Sequence, residues 1–371
     1  MVAMGIAIIS RSLARLRTSA CFLAVLAIGL LLVPVAGGEV FALVSPQTIR
    51  SLPAKKDLPA AKEVIHAADA ALDLVPHAMV RVHTEGTLYH QGIRDQSEEA
   101  EKDWYAMRSL ALAYRITREK RYFVQAACLL DAWVTTYKIS GNPIDETNLD
   151  TFAVTFDLIH DNLRNDAEKR ARTLFRTMAT TYLDWLDANF ASDPYNWSSH
   201  RVKLAVLGAY ISGDRVLIDR ATHAYARHVK QNIRPDGSVD DFYKRDAMHY
   251  VVYDLEPLAV AALAARAHGL DWFHTPATRS PSVQMGVDWL LPYALGQKTH
   301  EEFVHSTVKF DADRAAAGEH GYSGMWERKT SVGVLTLAAA LDSKYASARD
   351  QVASDTGTKP MDWVVLIAPD R

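Results

Sequence analysis

Apolar residues recur at three- and four-residue steps along most of this chain, and that period leaves few folds open. Ser97–Thr117 sets the pattern, with Trp104, Met107, Leu110, Ala111 and Tyr114 on one face. Further helical segments are read at Lys120–Tyr137, Leu149–Leu163, Asp166–Phe190, Ser198–Ser212, Asp214–Asn232, Asp254–His268, Pro281–Leu291 and Thr330–Ala346. Gly213 and Gly269 close two of them, as glycine does just past a helix end. Strand-like alternation is confined to "GSVDDFY" and "EEFVHSTVKF". The helices come in pairs joined by tight turns, with a pair roughly every forty to fifty residues, the period of stacked helical hairpins. "AYRITREKRY" from Ala113 and "AYISGDRVL" from Ala209 each end one helix, turn on polar residues and start another. A mainly α array of antiparallel hairpins is therefore expected. It can curve into a toroid whose inner loops form a groove, or stay open as a protein-binding solenoid.

The first 42 residues stand apart. Arg11, Arg15 and Arg17 precede the apolar run "CFLAVLAIGLLLVPV", and small residues follow. This order reads as a secretory leader, residues 1–42, cut at Ala42 or alternatively at Gly37. An uncleaved anchor is the other reading. A periplasmic or secreted protein is expected, with no stable membrane association once the leader is removed. Loss of that segment takes three Arg and one Glu, so the formal charge moves from −3 to −5. Such a chain has no global attraction for nucleic acid, and any polyanion it binds must meet a local basic patch. Cys21 leaves with the leader, and Cys128 remains inside "FVQAACLLDAW". No disulfide framework or cysteine metal site is available, and Cys128 is expected to be buried and inert.

Polar and aromatic residues cluster in four places between helices. "KRDAMHYVVYDLEPL" (Lys244–Leu258) carries Arg245, His249, Tyr250 and Tyr253 ahead of an apolar run. Pro257 is tolerated in a first helical turn and Asp254 is a good N-cap. Lys244–Tyr253 is therefore expected to be an irregular approach to a helix start. "DPYNWSSHRVK" places Asn196, Trp197 and His200 at another helix opening, where backbone donors favour anions. "RVHTEGTLYHQGIRD" supplies His83, Tyr89 and Arg94. "EFVHSTVKFDADRAAAGEHGYSGMW", with His305 and Arg314, reads as structural or as a distant wall. Each has a plain alternative: half-buried tyrosines, an Arg245–Asp246 pair, a capping Asn196, a surface His200.

No G-x-S-x-G, phosphate-binding loop, dinucleotide fingerprint, H-E-x-x-H or EF-hand pattern occurs. In "HEEFVH" the histidines are five apart, not four, which makes a poor zinc site. Neither metal nor cofactor is expected. Carboxylates such as Glu85, Asp145, Glu146, Asp240 and Asp241 show no spacing that singles out a hydrolytic pair.

At "NWSSH", "KRDAMHYVVYDLEPL" and the hairpins between them, the chain resembles the alginate-lyase-type polysaccharide lyases. The resemblance runs from about Glu85 through the "LEPL" block and more weakly beyond. It implies an incomplete (α/α) toroid, export, and an acidic polysaccharide as substrate. The family's tyrosine lies in an "R-A-L-x-Y-H-x-Y-x-L" context. Carried over, Tyr250 takes that place, and Arg245 matches the nearby arginine one residue further away. The family's adjacent Asn–His pair is here split as Asn196 and His200, so His200 and His249 both compete for the histidine role.

The chemistry implied is β-elimination: removal of the C5 proton of a uronate and loss of the C4 oxygen. Charge developing next to the carboxylate calls for donors or cations, and Asn196, His200 and Arg245 are of the right type. A tyrosine near a cation can take the proton and return it to the leaving oxygen. Tyr250 is expected in that role, with Trp197, Lys244, Tyr253, Arg94 and His83 lining the groove. Polymannuronate-type alginate or glucuronan is the expected polymer. A toroidal glycoside hydrolase and a non-catalytic carbohydrate-binding solenoid stay as alternatives.

Overall fold

The computed structural model describes residues 40–189, 192–274 and 280–368. Most of the expected leader lies outside the described residues. In chain order the helices are α1 (Pro46–Ser51), α2 (Pro59–Ala70), α3 (Arg94–Ala100), α4 (Lys102–Thr117), α5 (Lys120–Thr136) and α6 (Asp150–Ile159). Next come α7 (Asn165–Asn189), α8 (Asn196–Ser212), α9 (Arg215–Asn232), α10 (Asp240–Arg245) and α11 (Met248–Ala267). The remainder are α12 (Val283–Ala294), α13 (Lys309–Ala316), α14 (Val332–Leu341), α15 (Ala346–Thr356) and α16 (Asp362–Ile367). No strand forms among the described residues; the two strand candidates yield only isolated bridges, Ile233 to Val239 and Glu301 to Met325.

Two kinds of helix build the body. In α8 burial is unbroken from Ser198 to Ile211, and α6, α11 and α14 are nearly as enclosed. Helices apolar on all sides must sit inside. By contrast α7 buries only a stripe, from Ala167 through Phe175 and Tyr182 to Leu186, and keeps a charged outer face. The inner helices follow one another, α4 on α6, α6 on α8, α8 on α11 and α11 on α14, while α5, α7, α9 and α15 lean on them from outside. This is the incomplete (α/α) toroid. Gly208 marks how closely α8 meets α7: a Cβ there would stand 2.5 Å from the Phe175 carbonyl oxygen.

The two ends of the arc are tied together. Helix α2 packs on α16, and Lys55 Nζ donates to the carbonyls of Leu366 (2.9 Å) and Ala368 (2.8 Å). Just after the described chain begins, the Asp157 carboxylate accepts the N–H groups of Ala42 (2.9 Å), Leu43 (2.6 Å) and Val44 (2.8 Å). Burial pushes Asp157 up to about 7 despite those three donors. Phe41 stacks on His268 at 4.3 Å, and His268 stacks on Tyr210 at 3.9 Å.

Several expectations change here. Helices α1 and α2 lie outside the segments read from the apolar period, and Pro46 and Pro59 occupy their first turns, where a missing N–H costs nothing. Lys244–Tyr253 is no irregular approach: α10 ends at Arg245 and α11 starts at Met248, with Pro257 deep inside it. Asp254 is a buried interior residue of α11 rather than its cap. Cys128 is exposed, since the buried stripe of α5 runs through Ala126, Leu129, Leu130 and Trp133 and passes it by.

Candidate active site

The break between α10 and α11 aims the opening segment's side chains. Asp246 there is left-handed (φ 50°, ψ 52°), which is unusual for a residue with a Cβ. Contacts from the 300–305 segment hold it, among them His300 Nε2 at 3.0 Å from its carbonyl. Its carboxylate accepts His305 N (2.9 Å) and contacts His305 Nδ1 (2.8 Å), while its carbonyl accepts Phe303 N (2.7 Å). After this turn α11 begins at once, so His249, Tyr250 and Tyr253 project from its first two turns. Strain kept in place by several partners is common where side chains must be aimed.

Tyr250 and Arg245 form one pair. Arg245 Nη2 donates to Tyr250 Oη at 2.6 Å, and Arg245 Nε donates to Asp311 at 2.8 Å, with Nη2 bonding the second oxygen of that carboxylate. Arg245 therefore pairs with Asp311, not with Asp246. Its Nη1 bonds to no described residue. Arg314 Nη1 donates to Tyr322 Oη at 2.7 Å. Burial raises Tyr250, with Tyr322 adding to that effect and Arg245 opposing it.

Tyr253 faces a different partner. Its ring lies 4.3 Å from the His200 imidazole, and its hydroxyl bonds to no described residue. Burial raises Tyr253, then Tyr322 in the same sense, while Arg314 acts against both. His200 Nδ1 lies 2.6 Å from Thr147 Oγ1, and its Nε2 is sealed from solvent without a hydrogen bond. Burial, then Lys203, pulls His200 well below the ordinary histidine range, so the ring is neutral. His249 sits between the two tyrosines, 5.1 Å from Tyr250 and 6.2 Å from Tyr253. It falls to about 4 through burial, then Arg314 and Arg245.

The other expected residues divide. Asn196 opens α8 under the cluster, but its N–H (2.6 Å) and Nδ2 (2.8 Å) both donate to Asp241. Burial lifts Asp241 to about 6. Beneath it Ser199 Oγ bridges His228 Nε2 (2.6 Å) and the Asp254 carboxyl, which burial raises well above the usual carboxylate range. His83 holds Asp145 at 2.8 Å on a side wall. Arg94 is no free groove cation: it donates to Glu98 and to Glu319, both at 2.8 Å. Lys244 is exposed and lies over the Tyr195 ring at 3.7 Å, and Trp197 faces Arg201 at 5.3 Å.

A family model described as Alginate lyase matches residues 51–300, well over half of the chain. The chain belongs to the alginate lyase family. It is a polysaccharide lyase, and the hydrolase and binding-solenoid alternatives give way to that. Solved structures agree on the fold. An alginate lyase from Bacteroides ovatus matches with a TM-score of 0.65 and 15% identity, over 89% of this chain and 99% of that one. Alginate lyase A1-III from Sphingomonas species A1 matches at 0.58 and 15%, over 89% and 98%. A histidine-to-alanine variant of A1-III in complex with a tetrasaccharide gives 0.58 and 16%, over 90% and 98%. No curated protein sequence matches.

In this family member the inner-helix ends bring together Arg245, His249, Tyr250, Tyr253 and His200 from two distant stretches. Asn196 reaches them through Asp241. Sequence reasoning missed Tyr322, Arg314, Phe303, Asp311 and Thr147. Arg314 had been set aside as a distant wall, yet it bonds Tyr322, whose ring is 5.2 Å from Phe303 and 5.3 Å from His249. The signal available was the glycine-flanked "GYSG", where Gly321 (φ 85°) and Gly324 (φ 81°) turn the chain sharply around Tyr322. Among the described residues, no group of three or more His, Cys, Asp or Glu could hold a metal ion, and no helix is long and apolar enough to cross a membrane.

Proposed function

We propose that this lyase cleaves a uronate polymer, polymannuronate-type alginate or glucuronan, by β-elimination, and that Tyr253 carries the proton. The observation behind this is the Tyr253–His200 contact: a tyrosine hydroxyl with no partner beside an imidazole whose Nε2 has none. Groups that act on substrate must keep bonding capacity for it. Tyr250 Oη already accepts from Arg245 at 2.6 Å. The uronate carboxylate meets His200, and Arg245 through its open Nη1, while Asn196 is held by Asp241 behind them. With that charge neutralised, the Tyr253 phenolate takes the C5 proton. The electron pair becomes the C4–C5 double bond, the C4–O bond breaks, and Tyr253 returns the proton to the leaving oxygen. The relative crystallised with a tetrasaccharide supports an oligosaccharide-length groove.

A second reading keeps Tyr250 as the proton carrier. It is favoured by the Arg245 guanidinium at 2.6 Å, since an adjacent cation stabilises phenolate. Export with removal of the N-terminal segment belongs to the same proposal. The packing of Phe41 and of the Ala42–Val44 amides supports a cut upstream of Val40, the Gly37 alternative. The test is ultraviolet absorbance from the conjugated double bond on polymannuronate, polyguluronate, glucuronan and hyaluronan. New reducing ends without absorbance would refute elimination.

A further inference from the structure

The groups around His200 decide which ring nitrogen carries its proton. Lys203 Nζ donates to the Thr147 carbonyl (2.7 Å), to Thr147 Oγ1 (2.9 Å) and to Asp150 Oδ2 (3.1 Å). Three acceptors engage all the hydrogens an ammonium has, and an ammonium can only donate. Thr147 Oγ1 is thus an acceptor toward Lys203, and of its contacts with described residues only His200 Nδ1, at 2.6 Å, can take the hydroxyl's own hydrogen. An accepting Nδ1 is bare. In a neutral imidazole the hydrogen then sits on Nε2, the nitrogen that is buried and without a hydrogen bond.

We propose that Lys203 and Thr147 are positioning residues that hold His200 as the Nε2–H tautomer, leaving Nε2–H without a partner among the described residues of the free protein and ready for the substrate carboxylate in the complex. The tautomer stands on the free protein's own contacts; the role in the complex rests on the function proposed above. Lys203 and Thr147 act through His200 and need not touch the sugar.

The test is a long-range proton–nitrogen spectrum of the mature protein labelled with 15N-histidine, the His200 signals assigned by their loss in His200→Gln. A protonated Nε2 and a bare Nδ1 are expected. Thr147→Val should mix or reverse that pattern and lower kcat about five- to tenfold, the worth of one hydrogen bond. Thr147→Ser should restore both. A wild-type spectrum with the proton on Nδ1 would overturn the proposal, as would an unchanged tautomer in Thr147→Val. Full activity in His200→Gln together with the expected tautomer would remove His200 from the reaction and leave the positioning intact.

Discussion

Replacing Tyr253 with phenylalanine deletes one oxygen atom and, in the free protein, no hydrogen bond to a described residue. Stability should therefore move by less than about 0.5 kcal/mol. If Tyr253 shuttles the proton, kcat/KM should fall at least about a thousandfold, which is about 4 kcal/mol of transition-state stabilisation. Tyr250→Phe is the contrasting variant. It removes the bond from Arg245 Nη2 at 2.6 Å, a charge-assisted contact worth about 1.5–3 kcal/mol. Arg245 would stay tethered to Asp311, so the expected result is a melting temperature lower by a few degrees and a rate loss of about ten- to a hundredfold. Both variants are read by absorbance of the unsaturated product on one polymer, beside a thermal melt. Near-normal turnover in Tyr253→Phe with a dead but well-folded Tyr250→Phe would refute the assignment and move the proton to Tyr250.

Because burial raises Tyr253 and holds His200 well below its usual range, kcat/KM should climb with pH through neutrality, without the inflection near 6.5 of an ordinary histidine; a pH–rate profile checks this. Arg245→Lys cannot reproduce the two bonds to Asp311 and one to Tyr250, so a rate loss of about tenfold or more is expected in the same assay. Asp157→Asn turns an amide against the N–H groups of Leu43 and Val44 and should cost about 2–4 kcal/mol by denaturant titration. The Asp157 carboxyl is raised from 3.8 to about 7, so its contribution is present in acid and fades as pH rises through that window; stability should decline across it in wild type and less so in the variant. Mass spectrometry of the exported protein should find a first residue at or before Val40, and a start at Leu43 would sink the upstream cut.

The helical array was legible because a helix needs only a repeating apolar face, and α4, α5, α7 and α9 display one plainly. Misreadings clustered at proline. Pro46 and Pro59 mark helix starts, whereas Pro257, with Asp254 as an apparent cap before it, does not. The backbone penalty at Pro257 is local, whereas Val251, Leu255, Leu258 and Val260 around it are all buried, each worth about 1.5–3 kcal/mol. Packing outweighs the missing bond and the helix runs on. The tyrosines, Arg245 and His200 could be picked out by residue type. Their partners could not: Asp311 lies 66 residues from Arg245, and Thr147 lies 53 from His200. No local pattern encodes a contact between α10 and α13, or between α8 and the turn ahead of α6.

That separation bears on how a chain of formal charge −3 handles a polyanion. The cluster's arginines do not project a bare positive field: Arg245 is bound to Asp311, and Arg314 lies 3.6 Å from Glu319. Long-range steering is correspondingly weak. Recognition must then come at hydrogen-bond range, from Arg245 Nη1, from His200 Nε2–H and from the tyrosine hydroxyls. Screening at 0.15 M salt reaches only charges more than about 8 Å apart, so these contacts are largely spared. Raising salt should increase KM modestly and leave kcat nearly untouched in steady-state assays. A steep fall of kcat with salt would mean that exposed basic groups such as Lys244, not the tethered cluster, carry the carboxylate.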